Sequence, residues 1–346
     1  MCLCVLQTLA SVCQGIQHIT SALPYAEAST HTRQLFWGTV CATWLLTFVR
    51  QRGRRNFSIV DRVWPLFPVV LAAQWAYESR DSLFAAHEGA ACAAQCKAIV
   101  GVVLVTVWGL RLCYNSVRRG DYNVGAEDYR WVHVRASIDR ILPQCSAVRW
   151  AVWELFNIVF VSGFQLALLY LIAVPLHMLM RYPGVVARGT GNMAADKWSC
   201  AEVSLAALMA ALLVLEAVAD QQMYEFRQRK QQNKLTRAEA QAGFVHTGLW
   251  RYSRHPNVLC EQAFWAVLCV FCSMATGTDL GSLDNVYLLA GPVLLIALMW
   301  ASVQLTESIS RAKYPMYRAY MMQTSRLIPW KPWSNAQVIN QAHAKL

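Results

Sequence analysis

The sequence predicts an all-α fold: a polytopic transmembrane bundle of about seven spans, eight if residues 1–22 also cross, with a polar cavity facing the cytosol. Three observations predict it. The chain of 346 residues is 56% hydrophobic and only 15% charged, whereas soluble domains carry about 25% charged residues. Seven apolar runs have the length needed to cross a bilayer, about 17–25 residues. Lysine and arginine alternate between rich and poor segments from one connection to the next.

The runs fall near residues 34–49, 63–79, 98–115, 150–180, 200–224, 258–276 and 285–304. The fourth is long enough to tilt strongly or to break at Pro175. Segments 50–62, 111–149, 225–257 and 305–346 hold 5, 7, 7 and 6 Lys and Arg residues. Segments 1–33, 80–97, 181–199 and 277–284 hold 1, 2, 3 and 0. The bias places the first set, and the C-terminus, in the cytosol. The organisation expected is an apolar, luminal N-terminal segment (1–33), one transmembrane domain (34–333) and a cytosolic tail (334–346).

The net charge of +11 therefore sets topology, and no basic helix or RNA-binding signature points to nucleic acid. No cysteine–histidine cluster has zinc spacing, so no metal is expected. Cys269 and Cys272 form a C-x-x-C inside a span, a packing position, and Cys92 and Cys96 would pair only in an oxidising compartment. The N-terminus has no basic segment ahead of its apolar residues, so no cleaved signal peptide is expected. Composition is silent on oligomeric state.

Ionisable residues inside spans are costly and mark function or a buried pair. Here they gather at the predicted cytosolic ends. Asp61 and Arg62 precede Trp64 at the second span; Arg111 and Asn115 share a face of the third. Glu154 and Asn157 begin the fourth, with Gln165 deeper on nearly the same face. Glu216, Asp220 and Tyr224 descend the fifth at i, i+4 and i+8. Glu261 opens the sixth, and Gln304, Glu307 and Arg311 form a stripe closing the seventh. Glu216 lies roughly 12 Å inward of Tyr224 at the helical rise. Six helices thus bring polar groups to one depth, as a binding cavity requires. Interhelical hydrogen bonding without chemistry would place single residues similarly.

Residues 248–265 carry the strongest local pattern, Gly-Leu-Trp-Arg-Tyr-Ser-Arg-His-Pro-Asn-Val-Leu-Cys-Glu-Gln-Ala-Phe-Trp. Pro256 disfavours helix at His255 and suits a first helical position. The helix it starts has unpaired N–H groups and the positive end of the dipole. With Arg254, and Arg251 nearby, this is a site for an anion such as a diphosphate. Asn257, Glu261 and Trp265 follow on one face. Downstream, Tyr314, Tyr317 and Tyr320 recur on a short amphipathic helix, either as an interfacial aromatic belt or as a lid over a ligand ring. Arg227, Arg229 and Lys230 suit lipid headgroups equally well.

Taken as a set, the Arg-His-Pro junction with Glu261 and Trp265, then Glu307, Tyr314-Pro-x-Tyr317-x-x-Tyr320 and Ile328-Pro329, resembles the C-terminal domain of steroid 5-alpha reductase-like proteins, in the subgroup long filed as a domain of unknown function. Ser58-Ile-Val-Asp61-Arg-Val-Trp64-Pro65, Trp108-Gly-Leu-Arg111-Leu-x-Tyr114-Asn115, Arg118-Arg119-Gly120, Asp128-Tyr129-Arg130-Trp131, Asn157 with Gln165, and Asp220-Gln221 resemble its upstream blocks. The likeness spans roughly residues 57–333. It implies a protein of the endoplasmic reticulum that reduces a carbon–carbon double bond of a sterol, steroid or other lipid with NADPH, its cofactor half near 200–333. It also implies cofactor contacts from Arg251, Arg254, His255, Asn257, Glu261, Trp265, Glu307, Tyr314, Tyr317 and Tyr320. Proton donors would be Glu216, Asp220 and Tyr224, with Glu154 behind them; Asp61, Trp64, Arg111, Asn115, Glu154, Asn157 and Gln165 would line the cavity. The wider clan includes isoprenylcysteine carboxyl methyltransferases, which share a similar pattern and bind S-adenosylmethionine; a third reading is a catalytically silent sterol-binding protein. The chain departs from the common pattern at Val258, where relatives usually have Tyr, and at Cys260, where they usually have Gly.

Overall fold

The computed structural model describes residues 29–50, 56–84, 89–142, 145–187, 197–282 and 285–329. Residues 1–22 and the tail 334–346 lie outside them. The described residues form helices α1 (Thr30–Arg50), α2 (Ile59–Val63), α3 (Phe67–Glu78), α4 (Arg80–Leu83), α5 (Gly89–Arg119), α6 (Tyr129–Ile141) and α7 (Ser146–Phe156). A π-helical segment (Asn157–Phe164) leads into α8 (Gln165–Ala187). Helices α9 (Cys200–Gln231), α10 (Arg237–Ala242), α11 (Pro256–Thr276), α12 (Tyr287–Lys313) and α13 (Tyr317–Gln323) complete the chain. Among the described residues the one β feature is an isolated bridge, Ser253 to Ser325.

Five helical stretches are long and apolar enough to cross a membrane: α5, the continuous 146–186 unit, α9, α11 and α12. The first two predicted spans take other forms. Helix α1 has 21 residues but no 18-residue stretch as apolar as those of the five. Residues 63–79 do not make one span: Pro65 and Pro68 lack the N–H a helix ladder needs, so α2 ends and α3 begins anew. Helix α3 has 12 residues and reaches about 18 Å, short of a hydrocarbon core of about 30 Å.

Two further expectations are corrected. Helix α5 begins at Gly89, so Cys92 and Cys96 lie on a helix rather than in a loop, and both are free. The fourth span does not break at Pro175; α8 runs through Pro175 and Pro183. Its irregularity lies earlier, where the Gln165 N–H donates to Phe160 O, five residues back. This wider winding brings the rings of Phe156, Phe160 and Phe164 into a stacked ladder, with centroids 5.1 and 5.7 Å apart.

Helix α8 is the centre of the bundle, packed by α3, α5, α11 and α12, while α9 packs along α11. Small residues permit the close approaches. A Cβ at Gly291 of α12 would stand 2.6 Å from the Leu171 carbonyl, and one at Gly109 of α5 would stand 2.7 Å from the Pro65 carbonyl. Trp108 and Trp265, both fully buried, meet edge to face at 4.9 Å. Outward faces keep apolar residues exposed, among them Val107 and Leu110 of α5, Val214 of α9 and Val293 of α12, as lipid contact requires. Near the start of α9, a buried Lys97–Glu202 pair at 2.7 Å ties α5 to α9, and Ser199 with Glu202 forms a capping box.

Candidate functional site

A cavity of about 520 Å³ opens where the ends of six helices converge. Asp61 and Trp64 come from the α2 end, Asn115 from α5 and Gln165 from α8. Glu216 and Asp220 come from α9, Asn257, Val258 and Glu261 from α11, and Ser302 from α12. Four-residue spacing on α9 and α11 turns each polar set toward the same space. Phe156, Phe160, Leu298, Met299 and Leu305 form an apolar wall.

The inner end is organised by one cation. Arg111 donates from Nη2 to Glu216 Oε1 at 2.7 Å and from Nη1 to Asp220 Oδ2. All three side chains are at least nine-tenths buried. Burying these charges is tolerable because they are paired; removing one partner strands the others. Asp220 Oδ1 meets Asn257 Nδ2 at 3.5 Å. Trp64 interacts with the Glu261 carboxyl. Glu216 Oε2, Asn257 Oδ1 and Glu261 Oε1 are buried without a hydrogen-bond partner among the described residues.

The segment between α5 and α6 roofs the cavity. Arg62 Nε donates to Asp121 O at 2.9 Å, and its Nη2 to Asn123 O and Ala126 O. Asp128 caps α6 by accepting from Arg130 N at 2.8 Å. Arg130 forks onto Asp128 and reaches Ser302 Oγ at 2.6 Å, and the Trp131 indole donates to Asp61 Oδ2 at 2.9 Å. Burial raises the Asp128 acid, but the Arg130 bonds outweigh it and hold it below its usual 3.8. The sequence reading quotes Asp128, Arg130 and Trp131 in the resemblance without assigning them to the site. The signal available was Asp128 two residues before Arg130, an N-cap with a fork partner.

The structure does not bring Arg254 or His255 to this cavity. Arg254 Nε donates to Glu307 Oε1 at 2.7 Å, and Nη1 donates to the carbonyls of Met321, at 2.9 Å, and Thr324. His255 Nε2 lies 3.2 Å from the same Glu307 oxygen, and Arg326 is 3.1 Å from the other. Burial lowers the His255 imidazole below its ordinary 6.5, with Glu307 opposing. These groups hold protein, fastening the α11 start to α12 and to the chain after α13. The downstream tyrosines are also engaged by protein. Tyr317 and Tyr320 pack on Phe244 with centroids 5.0 Å away, and Tyr320 donates to the Trp250 carbonyl. Tyr314 lies against Phe244 and beneath Lys230.

Other predicted residues are dispersed. Glu154 accepts from the Trp44 indole at 2.6 Å and from Asn157 at 3.4 Å, away from the cavity lining. Tyr224 stacks under the Arg118 guanidinium at 4.5 Å. Trp265 is core, and Arg251 is exposed on the 3-10 turn Gly248–Arg251. Arg229 forks onto Glu239, capping a turn rather than a ligand. Val258 lines the cavity wall, whereas Cys260 is buried and does not. Among the described residues no group of three His, Cys, Asp or Glu side chains is set to hold a metal ion.

Fold and cavity define a class: a multi-pass helical membrane protein with an acid-lined cavity beside its charged helix ends. The chain belongs to the family described as "Protein of unknown function (DUF1295)", which matches residues 43–324. It is 30% identical over 296 residues to an uncharacterized protein of Schizosaccharomyces pombe, covering 83% of this chain and 76% of that one. No solved structure matches it.

Proposed function

We propose that the chain is an integral-membrane, NADPH-dependent reductase of a carbon–carbon double bond in a lipid. The observation that carries this reading is the cavity itself, where an ion-paired carboxylate cluster and a free carboxyl oxygen on Glu261 meet an apolar, aromatic wall. Its motifs resemble those of steroid 5-alpha reductase-like proteins. The positive-inside bias would put the cavity's charged rim, and with it the C-terminus, in the cytosol, in the membrane of the endoplasmic reticulum.

The donor set fits the cofactor in a different way from the one its motifs suggest. The start of α11 offers first-turn N–H groups with no intrahelical acceptor. Arg119 stands on the cavity rim in an exposed pair with Asp121, and exposed pairs exchange partners at little cost. These groups would hold the diphosphate. When bound, NADPH supplies the hydride. Glu261 would hold the proton delivered to the adjacent carbon, and Arg111 fixes Glu216 and Asp220 around it. The apolar wall of Phe156, Phe160 and Met299 would hold the lipid and exclude water.

The methyltransferase alternative is disfavoured by the same lining: a carboxylate substrate would face the unpaired carboxylate oxygen of Glu216. The decisive measurements use the purified full-length protein and a deletion strain. Thermal stabilisation by NADPH and not by S-adenosylmethionine is expected, with an unsaturated lipid accumulating in the strain. Stabilisation by S-adenosylmethionine alone overturns the reading, and an unchanged lipid profile favours a silent binding protein.

A further inference from the structure

We infer that the cavity selects a lipid by a hydroxyl group at its polar end, and rejects the corresponding ketone. This rests on the cavity being the substrate site, as proposed above, but not on the hydride chemistry.

Two acceptors at the inner end are fixed by their neighbours. Glu216 is only 2% exposed. Its Oε1 is bound to Arg111 Nη2 at 2.7 Å, leaving Oε2 in the cavity lining without a partner. Asn257 has its amide nitrogen directed at Asp220 Oδ1, 3.5 Å away, so the opposite side of that amide presents Oδ1, also buried and unpartnered. An amide placed against a carboxylate cannot flip to offer its N–H elsewhere without turning oxygen on oxygen. Arg111, the cation of this end, gives both terminal nitrogens to Asp220 and Glu216, and its unpartnered Nε lies outside the cavity lining. At Glu216 and Asn257 the wall therefore presents fixed lone pairs.

A hydroxyl satisfies such a wall, because it donates to one acceptor and rotates to suit the geometry. A ketone brings two further lone pairs and no donor, and it leaves the buried acceptors unsatisfied, a cost that sites of this kind turn into strong discrimination. The rest of the ligand must be apolar. The same cavity is lined by the Phe156–Phe160 ladder and by Leu298, Met299 and Leu305. The π segment and α12 do not pack closely on one another, so this wall leaves room for an alkyl body between them.

The test measures binding of matched probes to the full-length protein in detergent micelles. One pair is tritiated cholestanol and cholestanone; the other is palmityl alcohol and palmitaldehyde. The alcohol is expected to bind at least about tenfold tighter in whichever pair the cavity admits. In Glu216→Gln, whose amide supplies a donor, that preference is expected to narrow to near parity while the melting temperature confirms a folded protein. Equal or tighter binding of the carbonyl probe in wild type overturns the inference, as does failure of all four probes to bind. Each measurement is repeated with NADPH. Alcohol selectivity without any NADPH stabilisation would sustain this inference and defeat the reductase reading; NADPH stabilisation with ketone selectivity would do the reverse.

Discussion

Arg254 and Glu307 are joined across 53 positions of sequence by a 2.7 Å bond from Nε to Oε1, with both side chains almost wholly buried. The Arg254 guanidinium also closes on the carbonyls of Met321 and Thr324. One side chain therefore sets where α11 begins relative to the end of α12, and so the angle at which Asn257 and Glu261 enter the cavity.

Replacing Arg254 with Ala should destabilise the protein by about 3–5 kcal/mol, the range for breaking a buried pair. Arg254→Lys should recover only part of this, since an ammonium cannot span a carboxylate and two carbonyls with a planar fork. Thermal denaturation in detergent measures both. A variant of wild-type stability that loses only NADPH binding would show the residue to be a ligand contact instead.

Arg111→Met should be similarly destabilising, because Glu216 and Asp220 would be left facing one another without their cation. The triple variant Arg111→Met, Glu216→Leu, Asp220→Leu should regain most of that stability, since apolar packing replaces the desolvated charges, yet it should bind no alcohol probe. Calorimetric or fluorescence melting of the single and triple variants decides this; a triple variant no more stable than the single one would contradict it.

Acid should weaken the fold in two phases. The folded His255 pKa lies below 6.5, so the unfolded chain takes up the proton first, and stability falls as pH drops below about 6.5. Asp128 and Glu239 are held below 3.8 and 4.5. Burial opposes this, but Arg130 bonds outweigh it at the first, and Thr236 and Arg229 bonds at the second. Their stabilisation is present above those values and is lost as pH falls through them. Melting temperature against pH should show both phases, and His255→Asn should shrink the upper one while leaving the lower unchanged.

Val258→Tyr should test the wall. The phenol would project into a cavity of about 520 Å³ and add a donor beside the fixed acceptors. Alcohol binding should weaken by about tenfold by competition for those acceptors, with the melting temperature little changed. Unaltered binding would place the ligand elsewhere.

How much of this was legible in the sequence depends on whether a residue's role is local. Glu216 with Asp220, Arg111 with Asn115, and Asn257 with Glu261 were readable because helical spacing alone fixes their shared faces. Asp61, Trp64 and Gln165 reach the same space for the same reason. Arg254 was readable as important but not as a clamp, because Glu307, Met321 and Thr324 approach it only in three dimensions. The tyrosines were ambiguous until Phe244, far from them in sequence, supplied their packing partner. The roof was missed because Arg62 binds backbone carbonyls, which carry no sequence signature, and because Arg130 reaches Ser302 only in three dimensions. The break assigned to Pro175 went to Asn157–Phe164 instead, where nothing in the composition announces a change in winding.

That wider turn has a consequence for how the chain tolerates insertion and deletion. Removing one residue as Asn157–Phe164 rewinds to ordinary α-helix would roughly keep the phase, but rewinding with the count unchanged would rotate everything before it by about 100° relative to α8. Phe156 and Phe160 would swing out of the wall, and Glu154 would leave the Trp44 indole, although no lining side chain had been changed. The cavity's outer boundary is thus a matter of rotational phase, and the count of residues between Phe156 and Gln165 governs it as firmly as their identity.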